Sequence, residues 1–175
     1  MGEREGVAEL VSLVNGADEG KKVAAAMALQ NVRTKAAGPL LEEALAGPLP
    51  DSLRPYIIES LGYCRGKSSV EPLSKILTEK DEDNERLRVV AVRALGRIGD
   101  PSAGKVIVDA LESAPKTDAA FRREGIAALV NTATVSELPR LERMLEGLTI
   151  NDADYYLLRT VVPRLQREKA ALEKK

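Results

Sequence analysis

The sequence has no histidine, no tryptophan and a single cysteine, Cys64, and its aromatic side chains are four tyrosines and one phenylalanine. Without histidine there is no imidazole general acid or base, and no zinc site of the ordinary ligand set. One cysteine excludes an internal disulfide. No charge of one sign predominates: 26 basic residues face 27 acidic ones, for a formal net charge of −1. That balance lacks the electrostatic footprint of a nucleic-acid binder. The longest apolar stretch, Val23 to Leu29, falls far short of the roughly 20 residues needed to span a bilayer. The opening Met1-Gly2-Glu3-Arg4-Glu5-Gly6 lacks the basic-then-apolar layout of a signal peptide. These absences favour a cytoplasmic protein that binds rather than catalyses, with no catalytic residue, metal or cofactor. With 44% hydrophobic and 30% charged residues, the chain reads as one folded domain over 1–175.

What is present is periodicity. Lys21–Leu45, Leu53–Leu77, Leu87–Leu111 and Phe121–Leu145 align without internal gaps. Leu29, Leu61, Leu95 and Leu129 fall in register, 32, 34 and 34 residues apart, and 16 residues after each stands Leu45, Leu77, Leu111 or Leu145. A third column holds Leu41, Leu73, Ile107 and Leu141, and a small-residue column holds Ala28, Ser60, Ala94 and Ala128. The constant offset confines length variation to the links between units, as expected of a repeated helical hairpin.

Each unit reads as two helices. In the third, Leu87, Val90, Ala91, Ala94 and Leu95 lie on one helical face, and Ala103, Val106, Ile107, Ala110 and Leu111 repeat the spacing. Gly96 and Gly99 are expected to close the first helix, with Asp100 as N-cap and Pro101 at the first position of the second. The small column should let the paired helices approach closely. The fold class is therefore all-α, a solenoid of about four hairpins over 19–46, 51–79, 85–112 and 118–147. An N-terminal half-unit over 4–16 carries Val7, Leu10, Val11 and Val14. A C-terminal cap over 151–175 carries Leu157, Leu158, Val161 and Val162, with Pro163 expected to kink or restart its helix. Its register admits offsets of 32 and 34 alike. A single unit buries too little to fold alone, so neighbours must share a core.

The stretch Leu87-Arg88-Val89-Val90-Ala91-Val92-Arg93-Ala94-Leu95-Gly96-Arg97-Ile98-Gly99-Asp100-Pro101 resembles a HEAT repeat, in particular the short HEAT-like repeat of phycobilisome-linker lyases. The second unit keeps Leu53-Arg54 and Ser60-Leu61-Gly62, the fourth Phe121-Arg122 and Ala127-Ala128-Leu129, and the first Ala28-Leu29 with Lys22 for Arg. Tetratricopeptide repeats share the period, but their aromatic signature positions are empty here. The resemblance implies a non-enzymatic scaffold that binds a protein partner on a concave face formed by second helices. By helical spacing the outward positions of those second helices include Glu43, Glu71, Lys75, Lys105, Asp109 and Arg143, with Arg140 at the margin. The same charges also fit an ordinary solvated surface. Shared repeats bring two other functions into view. One is a chromophore-lyase-like or chromophore-handling protein related to phycobilisome assembly. The other is a HEAT-like alkylpurine glycosylase, disfavoured by the few aromatics and the missing basic excess. HEAT-like deoxyhypusine hydroxylases need histidine ligands, which are absent.

Four further features carry expectations. Lys22, Arg54, Arg88 and Arg122 form a cationic column, expected to pair with acids near the same helix starts, such as Glu19, Asp51, Glu85 or Asp118. The acidic run Glu79–Glu85 lacks the ligand alternation of a calcium loop and reads as a solvated connector. Cys64 should fill a small apolar niche. Tyr63 is expected to be exposed on the turn ridge as a contact residue, while Tyr155 and Tyr156 should cover the end of the core.

Overall fold

The computed structural model describes residues 3–79, 85–115 and 117–174. Within them the chain forms helices α1 (Glu3–Val14), α2 (Glu19–Leu29), α3 (Gly38–Ala46), α4 (Arg54–Cys64) and α5 (Val70–Thr78). The second half continues with α6 (Glu85–Ile98), α7 (Ala103–Ser113), α8 (Ala119–Thr132), α9 (Leu138–Glu146) and α10 (Ala153–Leu172). No strand occurs among the described residues. Short 3-10 turns, Lys35–Ala37, Lys67–Ser69 and Val135–Glu137, lead into α3, α5 and α9.

The leucine columns form the interior of this all-α solenoid. Leu29, Leu61, Leu95 and Leu129 are all fully buried, as are Leu41, Leu73, Ile107 and Leu141. Leu45, Leu77 and Leu111 are buried too, whereas Leu145, in the last hairpin, is half-buried. Helices α2, α4, α6, α8 and α10 pack in succession into one layer. The helices of the other layer, α1, α3, α5, α7 and α9, each lean on the first-layer helix that follows.

The small residues act between units rather than within them. A Cβ built on Gly62 would lie 2.8 Å from the Ala94 Cα, and one on Gly96 would lie 2.7 Å from the Ala128 Cβ. The close approach therefore joins first helices of successive hairpins, α4 to α6 and α6 to α8, and not the two helices of one hairpin. Gly96 consequently sits inside α6 instead of closing it; only Gly99, at φ +70°, ends the helix. Asp100 accepts from the Ser102 backbone at 3.0 Å and hydroxyl at 2.7 Å, so it stabilises the turn, and α7 starts at Ala103 with Ser102 at its N-cap.

Polar ties also run from unit to unit. The Ser60 hydroxyl donates to the Leu29 carbonyl, Asn131 donates to the Gly96 carbonyl at 3.0 Å, and Glu42 accepts from Ser68 and Ser69 at 2.8 and 2.6 Å. In the cationic column, Lys22 pairs with Glu19 at 2.7 Å, the neighbour expected from sequence. Two others reach onward instead: Arg88 lies over the Phe121 ring, 4.5 Å from its centroid, and Arg122 pairs with Asp154 of α10 at 2.7 Å. A long guanidinium stem spans the gap to the next helix more readily than it folds back on its own first turn.

Near the C-terminus Glu137 is buried and closes a capping box with Thr134, accepting from its backbone N–H at 2.7 Å. Burial pushes its carboxyl pKa up, but hydrogen bonds from Ser136 and Thr134 outweigh that and hold it below the usual value. Helix α10 continues through Pro163 rather than restarting there, because Leu158, Val161, Val162 and Leu165 on both sides are buried in the core. Tyr156 is 64% exposed and does not cover the core end; Tyr155 is half-buried and takes Arg159 over its ring. Cys64 is buried, its sulfur 3.9 Å from the Val32 carbonyl oxygen. Of the acidic connector, residues 80–84 lie outside the described residues.

Candidate functional site

Second-layer helices carry the residues that the repeat placed on a binding face. On α5, Glu71 and Lys75 stand one turn apart and pair at 3.0 Å, both largely exposed. On α7, Lys105 pairs with Asp109 at 2.7 Å, again one turn apart. Arg140 crosses from α9 to close a larger network: its guanidinium meets Asp109 at 2.7 Å and donates to the Glu112 carboxylate at 3.0 Å. The sites named from sequence thus sort into three groups. Lys105, Asp109 and Arg140 come together, joined by Glu112; Glu71 and Lys75 form a separate pair; Glu43 and Arg143 are exposed without an ion pair among the described residues.

The electrostatics follow from these contacts. A hydrogen bond from Lys105 lowers the Asp109 carboxyl pKa, partly opposed by burial and reinforced by Arg140. The Arg140 hydrogen bond lowers that of Glu112, and the two carboxylates in turn raise the guanidinium pKa. Exposed pairs of this kind contribute about 0–1 kcal/mol each to stability. Their larger effect is to hold long side chains in fixed positions across α7 and α9, as a surface that presents charges in a defined pattern requires.

A second charged surface lies along the turns that end the first helices. Arg33 and Arg97 both stack on Tyr63, with guanidinium carbons 3.3 and 4.1 Å from the ring centroid. Arg97 also pairs with Glu59 at 3.0 Å, and Arg93 with Glu124 at 3.2 Å. Burial raises the Glu59 pKa, but hydrogen bonds from Gln30 and Arg97 bring it below the ordinary carboxylate value. A cleft of about 510 Å³ opens here, lined by Arg65, Arg93, Arg97, Gly99, Glu124 and Asn131 among others. Of these, sequence reasoning singled out only Tyr63 as a contact residue. Tyr63 is half-buried beneath those guanidinium groups rather than exposed. A periodic signal exists for part of the rest, since Arg33 and Arg65 each stand four residues after a column leucine and Lys35 and Lys67 six after, whereas Arg93, Arg97, Glu59 and Glu124 carry none.

Among the described residues, no group of three or more Cys, Asp or Glu side chains is arranged to hold a metal ion, and no helix is long and apolar enough to cross a membrane. Helical hairpins stacked in register, with their leucines in matching environments, define an α-solenoid of the HEAT type. The family model for HEAT repeats matches residues 49–119 and 70–147, and the model for the PBS lyase HEAT-like repeat matches 21–47. The chain belongs to the HEAT-repeat family. No curated protein gives a significant match to it.

Proposed function

We propose that the protein is a non-enzymatic scaffold that binds a partner protein on the surface of its second-layer helices. The observation that carries this reading is the network that ties Lys105, Asp109 and Arg140 across α7 and α9, next to the exposed Arg143. A repeat stack offers such a surface without further folding cost, since its helices are already fixed by the shared core. The match of 21–47 to the lyase type of repeat concerns the repeat itself, and a shared fold does not carry a shared activity.

Reversing two charges tests the face. Lys105 is 76% exposed and Arg143 is exposed, so Lys105→Glu with Arg143→Glu should leave the melting temperature within a few degrees of the parent. A partner retained from native lysate by the parent protein should be lost by the double variant. Equal recovery by both would place the binding face elsewhere.

A further inference from the structure

The turn ridge is charged out of proportion to the chain. Six cations stand on it in the first three hairpins: Arg33, Lys35, Arg65, Lys67, Arg93 and Arg97. Three acids pair with them: Glu59 with Arg97, Asp100 with Lys67 at 3.1 Å, and Glu124 with Arg93. Glu42, held by Ser68 and Ser69, adds a fourth carboxylate beside Lys67, so six cations less four acids leave an excess of two positive charges, in a chain whose total is −1.

The unneutralised charges are also the accessible ones. Arg33, Lys35 and Arg65 are exposed and have no ion pair among the described residues. Arg65 occupies the left-handed cap of α4, at φ 53°, and borders the cleft that Arg93 and Arg97 enter from α6. Arg33 and Arg97 share the Tyr63 ring, which draws two like charges together. The ring quadrupole offsets only part of their repulsion, so an anion arriving beside them would find a field already converged on it.

The arrangement selects among anions. Arg33, Arg65 and Arg97 come from three successive hairpins, with Arg33 and Arg97 converging on the Tyr63 ring and Arg65 bordering the adjoining cleft, so the ridge offers a ligand several cations at once. An extended segment with several carboxylates can meet them in turn. A nucleic-acid strand fits poorly, since the Tyr63 ring, covered by guanidinium groups, offers no stacking platform.

We propose that the ridge centred on Arg33, Arg65 and Arg97 binds an extended acidic peptide segment of a protein partner. This rests on the scaffold reading only for the protein nature of the ligand; it requires nothing of the second-layer face. The two surfaces fail or stand separately, because variants of one leave the other intact.

Fluorescence anisotropy of the full chain with a fluorescein-labelled deca-glutamate peptide at low salt tests it. The parent protein should bind saturably and more weakly as sodium chloride is added. Arg33→Gln with Arg65→Asn should weaken binding by about tenfold or more, with circular dichroism unchanged because Asn tolerates the left-handed cap. Arg33→Gln alone, which leaves the turn after α4 untouched, should shift affinity in the same direction. Lys105→Gln with Arg143→Gln, which removes the same two positive charges from the other face, should lose far less affinity than the ridge pair. No binding by the parent, or equal binding by the ridge variants, would overturn the proposal. Tighter binding of a deoxythymidine decamer, lost in the same ridge variants, would overturn it in favour of a nucleic-acid surface.

Discussion

Replacing Gly96 by alanine is expected to destabilise the protein by about 1–3 kcal/mol, while the same replacement at Gly6 stabilises it by up to about 1 kcal/mol. Both glycines lie in helix interiors, α6 and α1, where alanine is intrinsically favoured. They differ in their surroundings. Nothing lies within 4 Å of a Cβ on Gly6, whereas one on Gly96 would meet the Ala128 Cβ at 2.7 Å and its Cα at 2.8 Å. A helix backbone cannot yield there as a flexible side chain would, so α6 and α8 must move apart and the packing along that seam loosens. At about 2–4 °C per kcal/mol for a chain of this size, thermal melts should separate the two variants in opposite directions from the parent. If both variants melt above the parent, helix propensity outweighs the contact and the close seam is not real.

Position within the stack, and not only within the repeat, should set the cost of losing a core leucine. Leu111 and Leu145 occupy the same place in their hairpins. Leu111 is fully buried, and its Cδ2 would lie 2.8 Å from a Cβ on Gly125 of the following unit. Leu145 is half-buried in the last hairpin. Leu111→Ala should therefore cost about 2–5 kcal/mol through lost transfer energy and a cavity, and Leu145→Ala about 1 kcal/mol. Urea unfolding with a common m-value measures both. Equal costs would mean that the core is not shared between neighbouring hairpins.

The fold was legible because its determinants are local and repeated. A leucine every 32 to 34 residues, with a second one 16 further on, specifies both helices of a hairpin and the face each buries. What stayed hidden is which neighbour a face meets. Spacing shows that Ala94 and Ala128 are small, but not that they lie beneath Gly62 and Gly96 of the preceding helices. For the same reason Gly96 reads as a helix terminator in sequence and proves to be a contact point. Arg122 stands beside Asp118, yet its partner is Asp154, 32 residues away, because Asp118 is already engaged as the N-cap of α8 by the Phe121 N–H. Candidate site residues were legible only as outward positions on helices. That Arg140 binds Asp109 and Glu112 depends on how α9 lies against α7, and that Arg33 and Arg97 meet on Tyr63 depends on the stacking of three turns. Periodicity gives what recurs; the stack decides what touches.

Nuclear Overhauser contacts between successive first helices measure that stacking without perturbing the protein. The Ala94 methyl should show cross-peaks to the Gly62 α-protons, and the Ala128 methyl to those of Gly96, since each pair is in close contact. Finding both would place α4, α6 and α8 side by side in the order of the chain. Their absence, with the same methyls instead contacting helices of distant units, would contradict the solenoid.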